Sequence, residues 1–305
     1  MIVIPYLVVV LAIFVLGVIT GGLSNVTSGG AGVLTIYVLT NYAGLDLQKS
    51  TGTVLAASAV FVLIGVITFF KRKQVDFQLG LTVGLSGVAG AFLAARWAAT
   101  IQSASLEHVF GAFTLGLAFF TSYLFISDWQ KKKKNLRLGN GGTLQSKELS
   151  QTGEIKMPMN QLQMQPQVSR FAGTSPVALT VQIVKGVLIG IATGLFGVGL
   201  ASLSVVLFLL LFKLDTKMVL GTSLFASFFR YLGGSLGYLS ASPPQVDLFW
   251  FLILVVGGGI GSVIGARMVL GTGVASKDIL IKMTQVVILL FISYEFLLKF
   301  LIFGH

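Results

Sequence analysis

Residues 74–97 read QVDFQLGLTVGLSGVAGAFLAARW, and residues 245–268 read QVDLFWFLILVVGGGIGSVIGARM. Both stretches open on Gln-Val-Asp, continue through an apolar run with glycines in equivalent places, and reach an Ala-Arg pair near their ends. The paired positions are Gln74 and Gln245, Val75 and Val246, Asp76 and Asp247, Gly87 and Gly258, Gly90 and Gly261, Ala95 and Ala266, and Arg96 and Arg267. Unrelated apolar helices would not keep one register over this length. The chain therefore contains an internal repeat.

The repeat extends beyond these two stretches in both directions. Downstream, Ser105 recurs as Ser276. Upstream, the spacing slips slightly, and Gly52-Thr53 and Ser58 recur as Gly221-Thr222 and Ser227. Short insertions in loops would produce such slips, so the repeat covers nearly all the ordered chain. A duplicated membrane unit is typical of transporters.

Composition places the chain in a membrane. Of its 305 residues 55% are hydrophobic and 10% charged, with a mean hydropathy of +0.92, which excludes a soluble globular protein. We predict an all-α, multi-pass protein of the cell membrane, with the lipid bilayer as its surroundings. The absence of cysteine excludes disulfides and thiol catalysis. The net charge of +11 comes from basic residues that cluster where membrane segments end, so no nucleic-acid partner is predicted.

About ten apolar segments predict two five-helix repeats separated by a linker. The first repeat occupies residues 1–127, the linker 128–175 and the second repeat 176–305. The segments lie at about 4–24, 30–42, 50–70, 76–98, 106–127, 177–196, 199–213, 217–239, 247–270 and 278–302. A full crossing takes roughly 20 helical residues. The second segment of each repeat falls short of that and follows a glycine-rich break, which indicates a half-helix or a steeply packed short helix.

The charges predict how the chain crosses the membrane. Two basic runs, at 71–73 and 131–137, should be cytoplasmic, whereas the loop 240–245 has no basic residue. Five crossings per repeat is an odd number, so the two repeats should be inverted, with both termini outside and the first helix retained. The linker 128–175 has no apolar periodicity and is predicted to be cytoplasmic and largely disordered. Its Met- and Gln-rich run at 157–167 is either a plain tether or a docking segment.

The glycine-rich breaks are the first candidate site. They read TGGLSNVTSGGAG at 20–32 and TGLFGVG at 193–199. A helix that stops and restarts within the membrane leaves backbone N–H groups free, and such an end attracts an anion. The predicted substrate-binding residues of the breaks are Ser24, Asn25, Thr27, Ser28, Gly29, Gly30, Gly197 and Gly199. The alternative is that these small residues serve close helix packing.

The other candidate site residues are hydroxyl side chains at equivalent positions of the two repeats and three ionisable residues within predicted membrane segments. Thr53, and Thr222 with Ser223, lie near the start of the third helix of each repeat, where their hydroxyls either cap the helix or contact substrate. Arg230 falls mid-helix, and its repeat mate is Phe61. A bare arginine in a span needs a partner, so we predict substrate binding or gating, with an internal ion pair or snorkelling as alternatives. Lys185 is expected to snorkel. Glu295 has the spacing for a helix pair with Lys299.

Enzyme motifs are absent from the sequence. It has two histidines, His108 and His305, and no nucleophile elbow, zinc-binding helix or phosphate loop. We therefore predict no catalytic residue, no metal site and no cofactor, and the protein is not expected to be an enzyme.

These motifs carry a family resemblance. The duplicated break followed by Gly221-Thr222-Ser223-Leu224, the basic turn Lys71-Arg72-Lys73 leading to Val75-Asp76, and the glycine run ending in Ala95-Arg96 resemble the sulfite exporter TauE/SafE family. It is also called the 4-toluene sulfonate uptake permease family. The resemblance covers roughly residues 17–127 and 177–300. It implies transport of sulfur-containing anions such as sulfite, thiosulfate, sulfoacetate or other organosulfonates.

The leading hypothesis is a secondary transporter that moves such an anion by alternating access, with a proton or a sodium ion as the candidate coupling ion. The anion would lie near the membrane midplane between the two breaks, with Arg230 balancing its charge. Two other classes stay open: a passive anion channel, and a membrane-embedded enzyme or scaffold that recruits a partner through its linker.

Overall fold

The computed structural model of the protein describes residues 6–27, 32–102, 105–116, 118, 119, 122, 123, 126, 176–197, 216–271, 290 and 294. Within these ranges the chain is all-helical, as predicted, and has no strand. The helices are α1 (Tyr6–Thr27), α2 (Gly32–Tyr42), α3 (Leu47–Lys71), α4 (Phe77–Ala98), α5 (105–116), α6 (Pro176–Phe196), α7 (Thr216–Leu239) and α8 (Leu248–Gly271). The predicted segment 199–213, the linker, and all of 278–302 except residues 290 and 294 lie outside the described residues.

Five helices of the described part, α1, α3, α4, α6 and α8, are long and apolar enough to cross a membrane. The chain is therefore a multi-pass membrane protein. α7 has 24 residues, about 36 Å at 1.5 Å per residue, but carries more polar side chains. It packs against both α3 and α4, and Ser227 and Arg230 are fully buried. Neighbouring helices thus cover the polar face of α7.

α2 is a half-helix. Its 11 residues extend about 16 Å, half of a hydrocarbon core of about 30 Å. It packs beside the first turns of α3, where Thr40 Oγ1 donates to Ser50 Oγ at 3.0 Å. The break before it is shorter than the sequence predicted, because α1 stays helical to Thr27. Ser24 and Asn25 were expected to lie in an interrupted segment, and that expectation was wrong: both are helical and buried.

Glycines bring the helices of the two repeats together in swapped pairs. A methyl group added to Gly21 of α1 would overlap the backbone of Gly258 in α8, and one added to Gly190 of α6 would overlap Gly87 in α4. α1 and α6 are repeat mates, and so are α4 and α8. The first helix of each repeat therefore packs on the fourth helix of the other, an approach that only glycine-lined helices allow.

α3 and α7, which are also repeat mates, run antiparallel. A methyl group on Gly52 would lie 2.9 Å from Cβ of Tyr238, and one on Gly221 would lie 2.9 Å from Cδ1 of Phe69. Gly52 comes nine residues before Phe61 and Gly221 nine before Arg230, while Phe69 and Tyr238 follow Phe61 and Arg230 by eight. Phe61 and Arg230 therefore stand at the same level, about midway along the α3–α7 pair, with Phe61 packed on α8 and Arg230 on α4.

The motifs that define the repeat contact each other at both ends of this pair. The backbone N–H of Asp247 donates to Thr53 Oγ1 at 2.9 Å, and the N–H of Asp76 donates to Thr222 Oγ1 at the same distance. The Gly-Thr pair of each repeat thus holds the Gln-Val-Asp turn of the other.

Candidate functional site

Arg230 of α7 is buried against α4, and most of its guanidinium has no partner among the described residues. The residue is 0% exposed. Its Nη2 donates to Ser227 Oγ at 2.7 Å, whereas Nε and Nη1 have no hydrogen-bond partner in the described part of the chain. Buried charges in proteins are normally paired and hydrogen-bonded. Arg230 is therefore a candidate group for holding an anion.

Glycine packing makes the room for this side chain. A methyl group on Gly87 of α4 would lie 2.7 Å from Cγ and 3.0 Å from Cδ of Arg230, so the arginine stem runs across bare backbone. In the other repeat, the ring of Phe61 packs on Gly258 in the same way. Arg230 therefore occupies a slot that the first repeat fills with an aromatic ring, and its charge is not needed for the packing.

Two further buried polar groups, on α6 and α7, lack partners among the described residues. Ser223 and Ser227 precede Arg230 by seven and three residues, so the three side chains share one face of α7. The Oγ of Ser223 and the Nε2 of Gln182 are buried without a hydrogen-bond partner among the described residues. Gln182 lies one turn of α6 before Gly186, whose carbonyl oxygen would be 3.0 Å from a methyl group on Gly87.

The described residues that flank the two breaks, Gly32 and Gly197, lie close together. A methyl group on Gly32, the first residue of α2, would lie 3.1 Å from the carbonyl oxygen of Gly197. Gly197 ends α6 with a φ of +63°, which favours glycine, and it packs against Ile36 and Thr51. Its N–H donates to the Thr193 carbonyl at 2.8 Å. In the described part of the chain Thr51 Oγ1 is buried without a partner.

Asn25 ties α1 to α8. Its Nδ2 donates to the Gly21 carbonyl at 3.0 Å, to the Ser262 carbonyl at 3.1 Å and to Ser262 Oγ at 2.9 Å. Ser262 in turn donates to the Phe61 carbonyl at 2.6 Å. Both amide protons of Asn25 are thus committed to helix packing. The Oδ1 lies against Gly65 and has no hydrogen-bond partner among the described residues.

The threonine pair also serves packing. Thr53 Oγ1 donates to the Lys49 carbonyl at 2.6 Å while it accepts from Asp247, so its hydroxyl links two helices and does not cap its own. The predicted candidates therefore separate into an Arg230 group with Ser223, a break group with Gly197, and the packing residues Asn25, Thr53 and Thr222. Ser24 is buried in α1. The side chain of Thr27, and Ser28, Gly29, Gly30 and Gly199, lie outside the described residues.

Sequence reasoning missed two members of the Arg230 group. Ser227 was noted as the repeat mate of Ser58, and its spacing of three residues from Arg230 was a usable signal. Gln182 has no counterpart in the repeat and gave no signal.

Comparison with known proteins shows which family the chain resembles. The chain matches the sulfite exporter TauE/SafE family over residues 9–295. It is similar to three proteins of Bacillus subtilis (strain 168), each described as a probable membrane transporter protein. YdhB is 24% identical over 259 residues, covering 85% of this chain and 88% of YdhB. YjnA is 24% identical over 262 residues, covering 84% and 89%. YunE is 23% identical over 283 residues, covering 90% and 93%.

No solved structure matches the chain significantly. The family match spans both repeats and the linker between them, and the similar proteins are covered over most of their length. The chain therefore belongs to the sulfite exporter TauE/SafE family of membrane transporters.

Proposed function

We propose that this protein is a secondary transporter that carries a sulfur-containing oxyanion, such as sulfite, thiosulfate or an organosulfonate, with Arg230 as the residue that binds it. The observation that carries the proposal is the fully buried guanidinium whose Nε and Nη1 have no partner among the described residues. Each buried donor left unpaired costs about 1 to 3 kcal/mol, and more on a charged group. An oxyanion removes this cost, since guanidinium and oxyanion geometries match.

The sulfur chemistry rests on the family, whose description names sulfite. A sulfonate or sulfite group presents three oxygens in a compact cluster, and such a group accepts several hydrogen bonds at once. In the proposed site Arg230 supplies charged donors, while Ser223 on the same face of α7 and Gln182 on α6 supply neutral ones. Charge-assisted bonds are the stronger of the two kinds and should dominate the affinity.

Alternating access is supported by the way the repeats pack. The repeat mates α3 and α7 are antiparallel, and the glycine-lined pairs α1–α8 and α6–α4 are exchanged between the repeats. Two inverted repeats with ten spans produce this pattern, and in such transporters the substrate lies at the repeat interface near the midplane. Arg230 stands about midway along α7, where it packs on α4 of the other repeat, and this level fits that position.

The charges suggest the orientation. The α3–α4 turn carries Lys71, Arg72 and Lys73, and Lys217 at the start of α7 donates to the Leu270 carbonyl at the end of α8. At the other end of α3, Lys49 pairs with Asp247 at 3.3 Å. The richly basic end is proposed to be cytoplasmic, together with the linker 128–175, which leaves both termini outside.

Counterflow in proteoliposomes tests the transport function. Vesicles loaded with unlabelled thiosulfate should take up labelled thiosulfate faster than empty vesicles, and the Arg230→Gln variant should lose this exchange. Lys185→Gln is the matched control, because Lys185 is only partly buried and should leave exchange intact. Repeating the assay with an imposed pH or sodium gradient identifies the coupling ion. Voltage-driven flux without counterflow would instead establish a channel.

A further inference from the structure

Resting on the proposed function above, we infer that Ser227 is the residue that positions the Arg230 guanidinium for the anion, by holding it turned back along α7. Ser227 acts through the arginine and does not have to touch the anion itself. One hydrogen bond, the packing of the arginine stem, and the residues at the equivalent positions of the first repeat support this role.

A short hydrogen bond joins the two side chains. Arg230 Nη2 donates to Ser227 Oγ at 2.7 Å, and both residues are 0% exposed. Ser227 precedes Arg230 by three residues, so its hydroxyl lies over the turn of α7 before the arginine. The first turns of α7 adjoin the α3–α4 turn, because Thr222 Oγ1 accepts the backbone N–H of Asp76. The guanidinium is therefore turned toward the basic α3–α4 end of the helix pair.

The stem of Arg230 is held at a second point. A methyl group on Gly87 would lie 2.7 Å from Cγ and 3.0 Å from Cδ of the arginine, so the stem passes close against the backbone of α4. This contact limits where the stem can run. It leaves the last torsions of the side chain free to turn the plane of the guanidinium. The hydrogen bond to Ser227 restricts that rotation.

A guanidinium whose plane is already fixed should bind an oxyanion more tightly. Arginine has one of the largest side-chain entropies to lose when it becomes ordered. Binding is weakened less if that loss has already occurred on folding. The guanidinium presents its N–H groups in one plane, and Ser227 accepts only one of them. The other N–H groups then point in set directions, as bidentate contact with an oxyanion requires.

The first repeat has the serine without the arginine. Ser58 is the repeat mate of Ser227 and is also buried. The repeat mate of Arg230 is Phe61, whose side chain has no hydrogen-bonding group. A buried serine at this position therefore occurs with or without a guanidinium three residues later. Ser58→Ala is for that reason the matched control for Ser227→Ala, since it removes the same hydroxyl from the same level of the repeat mate.

Titration of thiosulfate into the purified full-length protein in detergent, with affinity measured from the thermal shift, tests this role. We expect Ser227→Ala to raise the Kd for thiosulfate about threefold to tenfold, as the loss of one hydrogen bond would. Ser58→Ala should leave the Kd within about twofold of the wild-type value. Ser227→Cys has a similar size but a weaker acceptor, so it should raise the Kd too, and it replaces the Ala variant if that variant does not fold.

The Arg230→Lys background separates positioning from a purely structural role. A lysine ammonium is a point charge without a plane to orient. Ser227→Ala should therefore change the Kd of the Arg230→Lys protein by less than about twofold, whereas damage to the fold would weaken binding in both backgrounds alike. If Arg230→Lys binds thiosulfate too weakly to measure, the comparison with Ser58→Ala decides.

The outcomes separate this role from the proposed function. Equal weakening in the arginine and lysine backgrounds overturns the positioning role, and so does a Ser58→Ala loss as large as that of Ser227→Ala. Unchanged binding by Ser227→Ala overturns it as well, and tighter binding would identify the serine as a competitor of the anion. All of these results leave the proposed function standing. Failure of the wild-type protein to bind thiosulfate, sulfite and methanesulfonate alike overturns the proposed function, and the role of Ser227 with it.

Discussion

Replacing Arg230 with methionine should weaken anion binding strongly without destabilising the empty protein. Methionine fills much of the same slot on Gly87 but carries no charge. Two guanidinium nitrogens, Nε and Nη1, are free of partners within the described residues. A hydrogen bond to a charged group contributes about 1.5 to 3 kcal/mol, so two such bonds amount to about 3 to 6 kcal/mol, or about 10²- to 10⁴-fold in Kd.

The effect on the unliganded protein has the opposite sign. Removing a buried charge that lacks a protein partner removes its desolvation cost, so the free energy of unfolding should stay unchanged or rise by about 1 to 4 kcal/mol. If Arg230 were instead one half of an internal ion pair, the same change would leave an acidic partner buried without a counter-charge. The loss would then destabilise the fold by about 3 to 5 kcal/mol. The direction of the change therefore separates a binding residue from a structural one.

Thermal melting of the purified protein, with and without thiosulfate, measures both effects. Arg230→Met should keep or raise the melting temperature without anion and lose the thiosulfate-induced rise. Phe61→Met is the matched control at the repeat mate: it should lower stability through lost packing on Gly258 and retain the thiosulfate response. A destabilised Arg230→Met variant that still responds to thiosulfate would refute the reasoning.

Three further outcomes follow from the packing. Gly52→Ala should destabilise the protein by about 1 to 3 kcal/mol, because its methyl group would overlap the α7–α8 turn, whereas Gly116→Ala, whose methyl group would have no described atom within 4 Å, should leave the melting temperature unchanged or slightly raised in the same assay. Ser262→Ala removes the hydroxyl that links α1, α3 and α8 and should cost about 0.6 to 1.7 kcal/mol, measured against the wild type in detergent. In the cysteine-free chain, Arg72→Cys should react with an impermeant maleimide only from the cytoplasmic side and Ser242→Cys only from outside; labelling of both from one side would contradict the proposed topology.

The candidate site was predictable only in part. Arg230 could be singled out because a charge within an apolar helix is conspicuous in sequence alone. Asn25 was assigned to substrate because an amide between glycines looks like a free donor. Its donors are in fact used by Ser262, 237 residues away in sequence. No local pattern contains such a contact.

The threonine pair shows the same limit. Thr53 and Thr222 were recognised as a matched pair, and a cap or a ligand contact was predicted for each. In the structure each hydroxyl accepts the backbone N–H of the aspartate that precedes the fourth helix of the other repeat. A repeat reveals that two positions play equivalent roles, but the role depends on which surfaces meet.

The sequence by itself determined that the chain is a helical membrane protein built from one unit used twice, because hydropathy and repeat register are properties of residue order. For the small residues of the glycine-rich breaks, close helix packing was also named as an alternative role. Only the tertiary structure decided that the glycine-lined helices α1, α4, α6 and α8 pair across the repeats, since small-residue stripes are alike and any two of them could approach. This pairing of helices buries the Arg230 guanidinium without a partner for its Nε and Nη1 among the described residues. A side chain becomes buried in this way only when the helices pack together, so the sequence alone could not show it.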